Sequence, residues 1–390
     1  MFDLLVYDIL FQIVSYLGCQ DIISVCQVLY KFGQENLLEL LQIRLSILTR
    51  LHTKKYNLKQ LLNLDKIFSN RNISCSGQFY VLISTSNGNL YYYGGKQIVK
   101  PKLIDKINNV IQIVSERDHS ALLTLNGKVY NYKYHTKQIN QLDLISDVNN
   151  DNIVRIAIDD TYNYQILDSG KVRQSLFTNK RQSLFTGKYK FIDELNDITD
   201  MSCSYGHTLA LNKYGHVYSF GDNVHGELGL GHTKYVRIPT LISNLNHIIQ
   251  VCAGDHHSIF LDIYGKVYSC GTNDGDDIVR NVAKDLMIPN IIHELNNIVK
   301  ICAGKYHSLA LDINMKVFSF SSDRTDGLYV TGCESNYVGL IPNLNNVCYI
   351  SSGINYSICI TSNKIYKYMA FNERELLSGT ITDITSGIEL

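Results

Sequence analysis

The sequence predicts a mainly β protein in which seven repeats of a small antiparallel sheet follow a short all-α module. Three observations lead to this prediction: a stretch that recurs through the second half of the chain, an alternation of apolar and polar residues around Gly-bearing turns, and a helical spacing of apolar residues near the N-terminus. We place the boundary at residue 66. Residues 1–66 then form the helical module and its linker, and residues 67–390 form the repeats.

The N-terminal segment has the periodicity of helices. Its first apolar residues recur three or four positions apart, at Leu5, Ile9, Leu10, Ile13, Val14 and Leu17. Gly18 ends this first helix, and Asp21 suits the N-cap of a second one. A third helix is predicted to begin near Asn36. Three helices and a Leu-rich linker make a small all-α module.

These residues resemble the F-box. The resemblance rests on Leu5, Asp8, Ile9, Leu10, Ile13, Ser15, Tyr16, Leu17, Asp21, Ile22, Val28, Lys31 and Phe32, whereas Val6 and Leu29 replace a Pro and a Cys of the family pattern. It implies docking on the Skp-type adaptor of a cullin ubiquitin ligase, with apolar anchors at Leu5, Ile9, Leu10, Ile13, Leu17, Ile22 and Val28. The alternative is a helical cap that shields one side of the larger domain.

The repeat is clearest in the second half of the chain. VCAGDHHSIFLDIYGKVYSCG begins at Val251, ICAGKYHSLALDINMKVFSF begins at Ile301, and SCSYGHTLALNKYGHVYSFG begins at Ser202. Alternating residues on both sides of a Gly-bearing turn are typical of a β-hairpin with one buried face. Weaker copies bring the number of units to seven, and a repeat of this length indicates a repeat architecture.

The units resemble the repeats of the regulator of chromosome condensation family. The fourth unit carries the resemblance best, with Phe220-Gly221-Asp222-Asn223 followed by Gly226-Glu227-Leu228-Gly229. The resemblance covers roughly residues 67–390 and implies a seven-bladed β-propeller, which agrees with the count of units.

Histidines recur in register in this propeller. His207, His257 and His307 stand at equivalent positions, His119 occupies the same position in the second unit, and Tyr80, Tyr164 and Tyr356 replace His in other units. Equivalent positions of successive blades are too far apart for one metal ion, and no acid recurs to orient a catalytic His. We therefore expect these side chains to be structural, each held by hydrogen bonds to a loop of its own blade.

The residues just before these positions vary while the framework stays constant. They include Arg117, Asp118, Asp159, Asp160, Tyr205, Asp255, His256, Lys305 and Tyr306. Loops of different chemistry on a fixed scaffold are how binding surfaces are built, so we predict that these residues form a partner-binding face. The alternative is that they are solvated turns.

Composition excludes several other classes. The formal net charge is zero, so no basic field favours nucleic acid, and no long apolar run predicts a membrane span. The ten Cys residues include no C-x-x-C pair, which favours reduced, buried thiols over zinc ligands. No motif of a nucleotide site, a hydrolase or a metalloprotease is present. We expect a soluble, intracellular, monomeric protein of the cytoplasm or nucleus that is not an enzyme and needs no metal or cofactor.

The sequence therefore predicts an adaptor that recognises another protein through its propeller, as the substrate-binding subunit of an F-box-type ubiquitin ligase. The main alternative is nucleotide exchange on a small GTPase, the activity of the founding member of the repeat family. Short spacings between units leave little room for the inserted wedge that such an exchanger uses, and chromatin binding is disfavoured by the absence of net charge.

The C-terminal residues predict how the ring closes. Ile381-Thr382-Asp383-Ile384 resembles Ile198-Thr199-Asp200-Met201, which opens the fourth unit. We expect this last segment to pair with the first blade, because an unpaired blade edge exposes backbone donors and acceptors.

Overall fold

The computed structural model describes residues 73–75, 80–85, 88–94, 101–116, 119–133, 141–146, 152–159, 161–176, 189–272, 286–305, 307–321, 338–353, 356–361, 364–369 and 380–383. Residues 1–66, with all seven anchors predicted for the Skp-type adaptor, lie outside these described residues. Within the described ranges, no helix is long and apolar enough to cross a membrane.

The described residues form seven sheets of four strands each. Sheets one to three contain β1 (Ile73–Cys75), β2 (Tyr80–Ser84), β3 (Asn89–Gly94), β4 (Lys102–Asn108); β5 (Val110–Glu116), β6 (His119–Thr124), β7 (Val129–Lys133), β8 (Gln141–Ser146); and β9 (Ile153–Ile158), β10 (Tyr162–Leu167), β11 (Val172–Leu176), β12 (Lys190–Phe191).

Sheets four to seven follow in the same way. They contain β13 (Ile198–Ser204), β14 (His207–Asn212), β15 (Val217–Gly221), β16 (Val236–Leu241); β17 (Ile248–Ala253), β18 (His257–Asp262), β19 (Val267–Gly271), β20 (Leu286–Ile291); β21 (Ile298–Ala303), β22 (His307–Asp312), β23 (Val317–Ser321), β24 (Val338–Leu340); and β25 (Val347–Ser352), β26 (Tyr356–Thr361), β27 (Ile365–Met369), β28 (Thr380–Asp383).

The sheets are the blades of a closed ring. Within each sheet the strands are antiparallel neighbours in chain order, as expected for repeated hairpins. The first strand of each blade lies beside the first strands of the two adjacent blades, and β1 contacts both β5 and β25. The first strands therefore surround a central channel, and the predicted seven-bladed propeller is confirmed.

The core lies between adjacent blades. Leu209 and Val217 of the fourth blade pack in one cluster with Val251 and Phe260 of the fifth. In the same way, Ile83 of the first blade belongs to an apolar cluster that includes residues of the seventh. Because every blade buries both faces against its neighbours, the ring closes by side-chain packing between its first and last blades.

The C-terminal strand does not close the ring. β28 pairs with β27, with Tyr366 opposite Asp383 and Met369 opposite Thr380, and is the fourth strand of the seventh blade. The prediction that it pairs with the first blade is therefore wrong. β27 needs a partner for its outer edge, and a segment that follows it closely in the chain supplies one at a smaller loop-closure entropy than a distant segment would.

Strand register corrects one repeat position. His207 lies opposite Gly221 and His257 opposite Gly271, and the residue at the same place in the third blade is Tyr162, opposite Leu176. The assignment of Tyr164 to this position was wrong. Two tyrosines stand two residues apart here, and only strand pairing distinguishes them.

Hairpin turns follow a common design in the fourth to sixth blades. In the fifth, the Asp262 carboxylate accepts hydrogen bonds from the backbone N–H groups of Tyr264 (2.9 Å) and Lys266 (2.8 Å). Gly265 then adopts a φ of 76°, which suits a residue without Cβ. In the sixth blade Met315 occupies this position with a φ of 63°.

Candidate partner-binding face

The central channel has two differently built ends. We call the end beside the loops between first and second strands the loop mouth; Glu116, Ser204, Asp255 and Lys305 line its cavity of about 170 Å³. The end beside the hairpin turns is the turn mouth, with a larger cavity of about 930 Å³. The residues that the sequence predicts to bind a partner belong to the loops that define the loop mouth.

The repeated histidines link neighbouring blades. Nε2 of His207 lies 3.1 Å from Oγ of Ser258, and the pairs His257–Ser308 and His307–Ser357 repeat this contact at 2.8 and 2.7 Å. We call these contacts the histidine latches. The structural role of these histidines stays a prediction. The prediction of a partner in the same blade was wrong, because the partner is a serine of the next blade. In the first blade, the hydroxyls of Tyr80 and Ser120 make the equivalent contact at 3.0 Å.

The histidines of the latches are neutral. Oγ of Ser258 donates to the backbone carbonyl of Glu227 (2.7 Å), so it accepts the hydrogen on Nε2 of His207. Desolvation by burial, with a smaller effect of neighbouring histidines, lowers the pKa of His207 and His307 to about 3 and that of His257 to about 4. Among the described residues, no group of three His, Cys, Asp or Glu side chains could hold a metal ion.

Buried acids shape the loops around the channel. Asp255 accepts a hydrogen bond from Oγ of Ser204 (3.2 Å) and lies 3.7 Å from the ammonium of Lys305, so three consecutive blades are joined at the loop mouth. Asp159 accepts hydrogen bonds from the N–H groups of Thr161 and Tyr162, both at 2.6 Å. These carboxylates therefore hold the loops in place as well as giving the face its charge.

An aromatic group stands at the rim of the loop mouth. The rings of Tyr205 and His256 meet edge to face with centroids 5.0 Å apart, and His256 meets His225 in the same manner at 4.9 Å. We call these three side chains the aromatic rim. Tyr205 is 41% exposed and has a φ of 45°, an uncommon conformation for a residue other than Gly. Partial burial, together with the neighbouring His225, lowers the pKa of His256.

A crevice of about 490 Å³ lies beside this rim, between the third and fourth blades. Its walls include Tyr162, Tyr164, Phe191, Phe220, Tyr235, Arg237, Asp159 and Asp222. Sequence reasoning missed Phe191, Tyr235 and Arg237, which lie on or next to outer strands that do not repeat clearly. The only feature of the sequence that could have indicated these three residues is their position shortly before or after a clear repeat unit.

The predicted partner-binding residues that the structure describes lie together at one end of the ring. Asp255 and Lys305 line the loop mouth, Tyr205 and His256 form its rim, and Asp159 lines the adjacent crevice. His119 begins β6 at the repeat position, opposite Lys133. Arg117, Asp118, Asp160 and Tyr306 lie outside the described residues. Partner binding by these loops stays a prediction.

Comparison with known proteins identifies the repeats. A sequence profile described as the regulator of chromosome condensation (RCC1) repeat matches residues 214–261, and a second profile of that description matches residues 198–227 and 248–275. Residues 198–275 therefore match RCC1 repeats. The matched region includes the fourth blade and the first three strands of the fifth, where the His207–Ser258 latch lies.

Relatives of this chain are much longer than the region they share with it. Human HERC3, named a probable E3 ubiquitin-protein ligase, is 26% identical over 193 residues, which are 43% of this chain and 18% of HERC3. The human X-linked retinitis pigmentosa GTPase regulator is 41% identical over 63 residues, which are 15% of this chain and 6% of the relative. The chain therefore spans less than a fifth of the length of either relative.

Solved structures share the fold. Prp20p of Saccharomyces cerevisiae superimposes with a TM-score of 0.59 and 19% identity over 74% of this chain and 81% of its own. Human WBSCR16 gives a TM-score of 0.61 with 14% identity over 75% of this chain and 86% of its own. At these identities the likeness shows the fold alone.

Proposed function

We propose that the propeller recognises a partner protein through the loop mouth, the aromatic rim and the adjacent crevice. The observation that carries the proposal is the partly exposed rim of Tyr205, His256 and His225 beside charged side chains that neighbouring blades hold in place. Aromatic side chains that are partly exposed on a rigid frame are frequent anchors of protein interfaces. The protein acts as a binding module without catalysis of its own.

We further propose that the chain is the substrate-recognition subunit of a ubiquitin ligase. The F-box-like pattern of residues 1–66 supports docking on a Skp-type adaptor, and the local similarity to HERC3, itself named a probable ligase, agrees with this setting. In this arrangement the helical module binds the ligase, and the propeller holds the protein to be modified. Helix-in-groove docking of this kind depends on a few buried aliphatic anchors.

Affinity purification of the full chain followed by mass spectrometry tests both parts. A Skp and a cullin protein are expected among the captured proteins, and Ile13→Asp should remove them while leaving the partner of the propeller. Absence of Skp and cullin from the wild-type sample would refute the ligase role alone.

The binding face has a matched control. Tyr205→Ala should reduce capture of the propeller's partner at least tenfold, whereas Tyr264→Ala should not. Tyr264 is 43% exposed, close to the 41% of Tyr205, but lies in a hairpin turn at the opposite end of the blade. Equal capture by the two variants would show that the partner binds elsewhere.

A second candidate function is nucleotide exchange on a small GTPase. The observation in its favour is the shared fold with Prp20p, which is described together with its binding to Gsp1p and histones. Release of labelled GDP from Ran-type and Rho-type GTPases, with and without the protein, tests it. We expect no acceleration, and a clear one would place exchange above the adaptor role.

A further inference from the structure

The turn mouth is lined by a ring of six side chains from successive blades. They occupy the same place in the first strand of blades two to seven and are Gln112, Arg155, Asp200, Gln250, Lys300 and Tyr349. In each strand this residue follows a shift in strand register, as between Ile298 and Lys300. Such irregularities change the direction of a strand locally and often accompany functional sites.

The two glutamines of this ring already have partners. The side chain of Gln112 both donates to the carbonyl of Ile156 (2.9 Å) and accepts from its N–H group (2.8 Å). Gln250 makes the same pair of hydrogen bonds with Ile301, at 2.8 and 3.0 Å. These amides therefore join neighbouring first strands, which explains their presence without a ligand.

The two cations of the ring have no comparable explanation. The ammonium of Lys300 lies 3.6 Å from the centre of the Tyr349 ring, and Arg155 is exposed to the same cavity. Neither forms an ion pair with a carboxylate among the described residues. Two acids also line the cavity. Asp200, a member of the ring, accepts a hydrogen bond from the N–H group of Met201 (3.1 Å), and Asp168 accepts one from the side-chain amide of Asn152 (3.2 Å).

The surroundings of Lys300 show that its charge is poorly compensated. Desolvation lowers the pKa of Lys300 to about 8, the thiols of Cys302 and Cys252 act in the opposite direction, and Arg155 lowers it further. A desolvated cation beside a second cation costs free energy until an opposite charge arrives. The cavity of about 930 Å³ has the size of a small-molecule site.

We propose that the turn mouth binds a small organic anion through a phosphoryl or carboxylate group held between Arg155 and Lys300. The guanidinium supplies a planar pair of donors that fits either group, and the ammonium supplies a point charge. Tyr349 keeps the ammonium of Lys300 in position when the anion is absent. This site lies at the other end of the channel from the loop mouth and does not depend on the proposed function.

Calorimetric titration of the full chain with inorganic phosphate and with citrate tests the proposal. Saturable binding of at least one of these anions is expected, with at least a tenfold loss of affinity in Lys300→Met and in Arg155→Gln. Lys316→Met is the matched control, because Lys316 is an exposed lysine of the same blade. A preference for phosphate assigns a phosphoryl ligand, and a preference for citrate assigns a carboxylate ligand.

Thermal unfolding shows whether a variant has lost the site or the fold. Lys300→Met removes an unpaired charge, so it should melt at or above the wild-type temperature in anion-free buffer and should lose the increase that phosphate or citrate causes. In the wild type, the bound anion should also raise the pKa of the Lys300 amine in an NMR titration. The proposal is overturned if neither anion binds saturably, or if Lys300→Met binds as the wild type does.

Discussion

At the scale of single residues, the histidine latches couple blade packing to protonation. His207, His257 and His307 are buried and neutral, with pKa values far below the ordinary 6.5. In the unfolded chain these imidazoles would gain a proton as the pH falls below 6.5, whereas in the folded chain they would not. The unfolded state then binds more protons than the folded state. The free energy of unfolding must therefore decrease as the pH is lowered through this window.

The pH dependence of stability should therefore weaken when one latch histidine is replaced. Each latch contributes up to ~1.4 kcal/mol per pH unit between about pH 4 and 6.5. His257→Gln keeps a donor for Ser308 but cannot titrate, so the slope of unfolding free energy against pH should decrease by about that amount. Urea unfolding at several pH values measures it, with His293→Gln, an exposed side chain, as the control. An unchanged slope in His257→Gln would mean that this imidazole is protonated in the folded state.

At the scale of one element, the turn of the sixth blade departs from its neighbours. Met315 has a φ of 63° where the fourth and fifth blades have Gly, yet its side chain is only 4% exposed and packs in the apolar cluster of the sixth and seventh blades. Two effects oppose each other here. The left-handed conformation costs ~1 kcal/mol for a residue with Cβ, whereas burial of a Met side chain contributes ~1.5–3 kcal/mol.

Burial should outweigh the strain. Met315→Gly is expected to destabilise the protein by about 1–2 kcal/mol, although it restores the residue type of the turns in the fourth and fifth blades, because lost burial and added freedom of the unfolded chain exceed the relieved strain. Asn314→Gly, at the exposed preceding position, should cost less. Urea unfolding compares the two variants with the wild type. A stabilised Met315→Gly would mean that backbone conformation dominates in this turn.

At the scale of the whole molecule, the ring closes through apolar side chains. Ile83 of the first blade is completely buried and shares a cluster with Val347 and Ile358 of the seventh. The strand β28 lies at the outer edge of the seventh blade, and among the described strands it pairs only with β27. Closure therefore depends on the blade interface near the channel and not on the end of the chain.

Two variants distinguish these routes to closure. Ile83→Ala should cost about 2–5 kcal/mol, as expected for a large buried aliphatic side chain. Deletion of residues 380–390 removes an outer edge strand and should cost less than Ile83→Ala. Chemical unfolding measures the free energy of unfolding of both variants and shows which one loses more. Ile166→Ala in the third blade, which truncates a second fully buried isoleucine, is measured for comparison. A deletion that costs more than Ile83→Ala would restore the C-terminal strand as the closing element.

The sequence by itself determined what repeats locally. Seven hairpins, their turns and the recurring histidines could be predicted, because alternation of apolar residues and the position of a turn residue depend on neighbours within one unit. The location of the variable loops at one end of the ring followed from the same register. The repeat period of the sequence did not distinguish Tyr162 from Tyr164, because the two differ only in the residue of the paired strand that each one lies opposite.

Relations between units were decided only by the tertiary structure. The serine that holds His257 belongs to the next blade, and Arg155 and Lys300 line one cavity although 145 positions separate them (300 − 155 = 145). The strand that ends the chain was assigned to the wrong blade from a four-residue similarity. Contacts of this kind depend on how blades pack around the channel, and a repeat pattern contains no information on which side chains from different blades come to face each other.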